Sequence, residues 1–361
     1  MAKDTAISWT DHTFCPWWGC EKVSPACAHC YAETFAERWP ASRGLWGRDG
    51  KRKFQSDKYW NTPLKWDRDA ARGICSNCGL AKGAIDRGTC KECGSAKMKY
   101  PRPRVFCASM ADVFEDREEL VPHRARLFDL IRRTPNLDWL LLTKRPENVM
   151  RQIKHLIDLM PVITGSTVDP LFKWLAAWEA GTAPANVWLG TTVENQEMAD
   201  KRIPELLKIP AKTRFLSCEP LLGPVDFTQD RVFPRKLFGE CGSSTGSCTD
   251  NSCRSKIDWV ICGGESGPHA RPMHPDWAIS LRDQCAAARV PFHFKQWGCF
   301  RPAMPSDFDE GAKGKTGWVT LEGKTYWAEH PRQGSDELML LTSAQNNGRL
   351  LNGQLHDAFP I

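Results

Sequence analysis

At 361 residues, with 41% hydrophobic and 25% charged residues, the chain has a globular protein's composition and room for one large core plus an appendage. No run of about 18 apolar residues occurs, which excludes a membrane-spanning helix, and Lys3, Asp4 and Thr5 stand where the apolar part of a secretory signal would begin. The net charge of +6 permits a nucleic-acid partner without demanding one, and sixteen cysteines with no secretory signal point to metal ligation in a reducing cytoplasm.

The first element is a cysteine cluster, Cys20, Cys27 and Cys30, spaced C-x6-C-x2-C between Trp17-Trp18 and an apolar helical stretch. Structural zinc asks for four ligands, so three thiols suggest a centre left open on one side. A cubane iron–sulfur cluster held by three cysteines leaves one iron free to chelate the amino acid end of S-adenosylmethionine. A zinc site completed by Cys15 or His29 is the alternative.

Next come two CxxCG knuckles, Cys75-Ser76-Asn77-Cys78-Gly79 and Cys90-Lys91-Glu92-Cys93-Gly94, separated by eleven residues. Four thiolates at this spacing satisfy tetrahedral Zn2+, and each following glycine permits a left-handed turn beneath the metal. The segment 72–102 is therefore expected to be an inserted zinc ribbon that mainly holds itself folded. Lys82, Arg87, Lys91, Lys97, Lys99, Arg102 and Arg104 surround it, either as a phosphate-contacting surface or as a solvated charged face.

From Arg104 onward, short runs rich in β-formers alternate with helical patterns. The predicted strands are Arg104 to Ser109, Asp138 to Thr143, Asn186 to Thr192, Thr213 to Cys218, Ile257 to Cys262 and Pro291 to Gln296. The predicted helices are Glu118 to Arg133, Glu147 to Met160, Glu194 to Lys208 and Pro275 to Arg289, the first presenting Leu120, Leu127, Leu130 and Ile131 on one side. This order implies α/β architecture, a partial or complete parallel (β/α) barrel formed by residues 1–71 and 103–300.

Polar sets follow each strand: Ser109 to Asp112, Thr143 to Pro146, Thr191 to Glu194, Glu219-Pro220, Gly263 to Ser266 and Lys295 to Trp297. In a β/α barrel those ends meet on the face that carries the active site. Lys144 and Arg145 suit a carboxylate or phosphate, or else a surface salt bridge. Gly263-Gly264-Glu265 lets backbone approach a ligand and supplies a carboxylate.

Cys241, Cys248 and Cys253 lie in a Gly/Ser/Thr-rich loop insertion at 238–255, as a second metal site or as plain thiols. Cys107, Cys218 and Cys262 fall in strands, where a thiol is ordinarily a small buried hydrophobe. Residues 301–361 read as an irregular C-terminal extension with one hairpin-like stretch, Trp318 to Trp327, around Glu322-Gly323.

Trp18-Gly19-Cys20 with Ser24-Pro25 through Cys30-Tyr31-Ala32-Glu33, followed in order by Leu141 to Pro146, Val187 to Gly190, Phe215 to Leu221, Gly263 to Gly267 and Phe294 to Gly298, resembles the three-Cys-motif family of phage and bacterial proteins, whose function is not established. The resemblance covers about Ile7 to Phe300, and that family in turn resembles radical S-adenosylmethionine (radical SAM) enzymes. The usual spacing there is C-x3-C-x2-C, so a longer loop must present the three sulfurs here. The resemblance implies a TIM/radical-SAM-type barrel in which Cys20, Cys27 and Cys30 hold a [4Fe-4S] cluster. It implies S-adenosylmethionine on the open iron, a 5′-deoxyadenosyl radical as product, and an electron donor as partner. Lys144, Arg145, Glu219, Gly263, Gly264 and Glu265 are then expected to contact cofactor or substrate, the substrate being nucleic acid or a nucleotide. Two other readings stand beside it: a non-catalytic zinc-containing nucleic-acid-binding protein, and an iron–sulfur nuclease or glycosylase whose structural cluster uses Cys15 as fourth ligand.

Overall fold

The computed structural model describes residues 5–78, 85–86, 89–90, 93, 95, 97–100, 102–164, 169–228, 256–303, 316–327, 337–341 and 347–360. Seven parallel strands form its centre: β1 (His12–Thr13), β2 (Arg104–Cys107), β3 (Asp138–Thr143), β4 (Val187–Thr192), β5 (Thr213–Cys218), β6 (Trp259–Gly263) and β7 (Phe292–Gln296). They neighbour one another strictly in chain order, and the sheet curls into a half-barrel. Consecutive parallel neighbours require a crossover after every strand. The described crossover helices include α4 (Val121–Arg132) after β2, α5 (Asn148–Thr164) and α6 (Pro170–Glu179) after β3, α7 (Gln196–Lys208) after β4 and α8 (Pro275–Ala287) after β6. Between β1 and β2 lie α1 (Tyr31–Glu37), α2 (Asp57–Trp60) and α3 (Thr62–Ala71).

Strand periodicity divides the core into two layers. Val105 and Cys107, Trp139 and Leu141, Val187 and Leu189, Leu216 and Cys218, Val260 and Cys262, and Phe292 and Phe294 belong to the large cluster beneath the helices. Their alternates Phe106, Leu140, Phe215, Trp259 and Ile261 join Trp9 in a smaller cluster, the filling of the curled sheet's inner side. Gly190 in β4 is glycine because a Cβ there would lie 2.4 Å from the Phe215 ring.

Local signals agree with this arrangement. Leu120, Leu127, Leu130 and Ile131 are all buried, and the helical stretch begins as a 3-10 turn, Glu118–Leu120. Asp169 caps α6 by accepting from Leu171 N at 2.7 Å, and Asn195 caps α7 by accepting from Met198 N at 3.0 Å.

The knuckle segment forms two short antiparallel pairs, Ile74–Cys75 with Met98–Lys99 and Ile85–Asp86 with Thr89–Cys90. The C-terminal region carries more regular structure than its sequence suggests. A four-stranded antiparallel sheet contains β8 (Phe300–Pro302), β9 (Thr316–Val319), β10 (Thr325–Trp327) and β11 (Glu337–Leu341), in the order β8-β11-β9-β10. Residues 350–359 then return to the half-barrel, where Trp259 Nε1 donates to Ala358 O at 2.8 Å and the Phe359 ring centroid lies 5.2 Å from that of Trp259. Among the described residues, no helix is long and apolar enough to cross a membrane.

Candidate functional site

A cavity of about 330 Å³ opens at the C-terminal ends of the strands. All six of the polar sets expected after β2 to β7 reach it, through Asp112, Lys144, Thr192, Glu219, Glu265 and Lys295 among others. Cys20, Cys27 and Cys30 line the same cavity. The row of inward-facing positions changes character along each strand. Phe215, Ser217 and Glu219 run from apolar floor to charged mouth, and Leu140, Leu142 and Lys144 do the same.

The cysteine loop cannot be positioned by regular structure, because three sulfurs must turn inward over a span whose only order is a 3-10 turn at Pro25–Cys27. It is held by four carboxylates, each neutralised by an arginine. Arg145 Nη1 donates to Asp112 Oδ2 at 3.0 Å and lies 3.7 Å from Cys20 Sγ, while Nη2 donates to Glu21 O at 2.8 Å. Glu115 accepts Arg52 Nε and Nη2 at 2.9 and 2.5 Å and the Glu21 N–H at 3.0 Å. Glu194 pairs with Arg202 at 2.7 Å and accepts Ala26 N at 3.3 Å. Glu265 accepts Arg271 Nε and Nη2 at 2.8 and 2.7 Å, lies 3.5 Å from His29 Nδ1, and through Arg271 Nη2 reaches Pro25 O at 3.1 Å. At Gly19, with φ +108°, a Cβ would stand 2.4 Å from Leu45 O, so the chain can enter the loop only as glycine.

The electrostatics follow from burial. Asp112 would be pushed up by burial, but the Arg145 guanidinium, the Lys144 N–H and the Thr143 hydroxyl outweigh it and hold the carboxyl below its ordinary value. Burial pushes the Cys20 thiol up to about 12, with Asp112 adding to the rise and Arg145 opposing it. Binding a metal at Cys20 therefore releases a proton.

Several of the expected ligand contacts also have partners within the chain. Arg145 is committed to Asp112 and the cysteine loop, and its ion pair is nearly inaccessible, with 8% side-chain exposure on each side. Gly264 lines the cavity and also lets the neighbouring strand end come close, since its Cβ would lie 1.9 Å from Trp297 O. A Cβ at Gly263 would make ordinary contacts with Glu219 and Gln296 O, and Glu265 both lines the cavity and anchors the loop. Glu219 faces the cavity paired with the Lys295 ammonium. Asp112, Glu194 and Lys295 lie within the expected polar sets, but their pairings and Arg271 went unpredicted. The sequence signal for Asp112, Glu194 and Lys295 is position after a strand; nothing in the sequence marks Arg271 as the partner of Glu265.

Cys15 is fully buried in the outer core, its sulfur 3.1 Å from Ser109 Oγ, and does not line the cavity. His29 does line it. Cys107, Cys218 and Cys262 are core residues whose thiols burial pushes up.

Among the described residues, Cys78, Cys90 and Cys93 bring three sulfurs within 4.8 Å of one another, a group that can hold a metal ion. Cys78 Sγ and Cys90 Sγ stand 3.5 Å apart, near the roughly 3.8 Å edge of a tetrahedral zinc–thiolate site. Cys20, Cys27 and Cys30 do not form a group of that tightness. The Cys75 side chain and all of Cys241, Cys248 and Cys253 lie outside the described residues.

A family described as Protein of unknown function (DUF5131) matches residues 4–360. The chain belongs to DUF5131. The match extends beyond the resemblance at Ile7 to Phe300 to take in the C-terminal sheet of this DUF5131 chain. No curated protein and no solved structure matches it.

Proposed function

We propose that this DUF5131 chain is a radical SAM-type iron–sulfur enzyme acting on a nucleotide or on nucleic acid, with zinc in its knuckle segment. The observation that carries the reading is the placement of Cys20, Cys27 and Cys30 on one wall of a cavity into which six strand ends send polar groups. The donor chemistry supports the reading: three cysteine sulfurs line one cavity, and the Arg145 N–H beside Cys20 Sγ supplies the type of hydrogen bond that tunes a metal-bound thiolate. With S-adenosylmethionine bound, such a cluster supplies one-electron cleavage of the sulfonium to methionine and a 5′-deoxyadenosyl radical.

The chain's own residues bind, orient and exclude water. Arg145 fixes Cys20, while Glu194 and Glu265 fix the segment carrying Cys27 and Cys30. Trp9, Phe106 and Leu142 form an apolar wall away from solvent, and Glu219 with Lys295 offers a carboxylate and an ammonium at the mouth. Lys144 is the cavity's unpaired cation among the described residues, and receives an anionic group.

Iron content and visible absorption after anaerobic purification and reconstitution test the centre. The expected result is a brown protein that loses its iron in Cys20→Ala, Cys27→Ala and Cys30→Ala but keeps it in Cys15→Ala. A colourless chain carrying only zinc would instead support the non-catalytic nucleic-acid-binding reading, and loss of the cluster in Cys15→Ala would support the structural-cluster reading.

A further inference from the structure

The inner wall of the cavity carries a row of three side chains at one height. Thr191 pairs with Thr143 and Thr192 with Ser217 in the parallel register, so Lys144, the residue that follows the end of β3, comes next to Thr192 in β4 and Ser217 in β5. Adjacent strands stand about 4.8 Å apart, which brings neighbouring side chains of such a row onto one small ligand group. All three line the cavity. Of the other lysines and arginines that line it, Lys22, Arg145 and Lys295 face Glu33, Asp112 and Glu219, whereas the Lys144 ammonium has no carboxylate partner among the described residues. Thr192 is 1% exposed, and its hydroxyl has no hydrogen-bond partner among the described residues. A buried hydroxyl left unsatisfied costs stability, so its presence beside a cavity points to a ligand that satisfies it.

One ammonium and two hydroxyls are all hydrogen-bond donors toward an oxyanion. Below them lie Trp9 and Phe106, ring centroids 4.6 Å apart, and Leu142. A ligand that satisfies both levels has a flat, largely uncharged body and one anionic group. We infer that Lys144, Thr192 and Ser217 form the phosphate subsite of a mononucleotide-class substrate whose base lies against Trp9 and Phe106. This deepens the reading above, resting on the cavity as the reaction site, and it does not require the cluster for binding.

Calorimetry on the full-length chain without added iron tests it, with the four ribonucleoside 5′-monophosphates, the four matched nucleosides and S-adenosylmethionine as separate probes. At least one monophosphate is expected to bind at least tenfold more tightly than its nucleoside. Lys144→Met and Thr192→Val are each expected to weaken that binding about tenfold, and Thr192→Val to keep or raise the melting temperature because the unsatisfied hydroxyl is gone. Absence of monophosphate binding, equal affinity for the nucleosides, or insensitivity to both substitutions overturns the inference. So does a pattern in which the substitutions weaken S-adenosylmethionine alone, which would make the row the cofactor's carboxylate site, and so does a Thr192→Val chain that loses stability. Iron content is read separately, so failure here leaves the cluster's own test standing.

Discussion

Arg145 illustrates why single residues in this cavity resist assignment by charge alone. The sequence presents Lys144-Arg145 as two equivalent cations at a strand end, yet only Arg145 finds a buried counter-ion, because Asp112 lies on the adjacent strand's terminal loop. The same holds for Glu194 and Arg202, both at most 2% exposed in side chain. Glu194→Gln leaves the Arg202 charge buried without its partner and is expected to cost about 3 kcal/mol in urea unfolding, together with reduced retention of iron. His293 is fully buried on β7, with Nε2 2.9 Å from Ser8 Oγ and 3.1 Å from Arg349 Nη2. Burial lowers it to about 4, only partly opposed by Asp357. The folded chain therefore disfavours the proton that the unfolded chain takes up near pH 6.5, so this group carries no penalty above that pH. Between pH 6.5 and 4 its penalty grows to about 3 kcal/mol. Urea midpoints measured from pH 7.5 to 4.5 are expected to fall less steeply in His293→Gln than in the natural chain.

At the scale of elements, β2 to β7 were legible within a few residues, since their apolar runs are bounded by polar sets and their period-two alternation survives in the two core layers. β1 was not legible: two residues, His12–Thr13, carry no periodicity, and their pairing with Val105 and Phe106 joins segments far apart in sequence. Helix α6 has no counterpart among the predicted helices. The site's location was readable from strand-end polarity, but its internal wiring was not, because each carboxylate–arginine pair is a tertiary event. Gly263-Gly264 shows the limit most plainly. A glycine pair after a strand signals close approach without naming what approaches, and here it is the Trp297–Gly298 backbone. Gly264→Ala is expected to lower stability by about 3 kcal/mol through forced separation of the β6 and β7 ends, measurable as a lower melting temperature. The neighbouring Gly267, whose Cβ would meet nothing within 4 Å but whose φ is +126°, should respond less to the same change.

For the whole molecule, two kinds of cysteine site are kept apart by construction. Cys78, Cys90 and Cys93 come together in the segment that forms two short antiparallel strand pairs, while Cys20, Cys27 and Cys30 line a cavity and are braced by four ion pairs. Metal content should therefore separate by variant. Cys90→Ser is expected to lower zinc and leave iron unchanged, and Cys27→Ala the reverse, as read by elemental analysis of each purified chain. The most direct test of the proposed chemistry is 5′-deoxyadenosine formation by the anaerobically reconstituted, dithionite-reduced chain supplied with S-adenosylmethionine. Its production by the natural chain and loss in Cys20→Ala, Cys27→Ala and Cys30→Ala is the predicted result; a natural chain that forms no 5′-deoxyadenosine and retains no iron would contradict it.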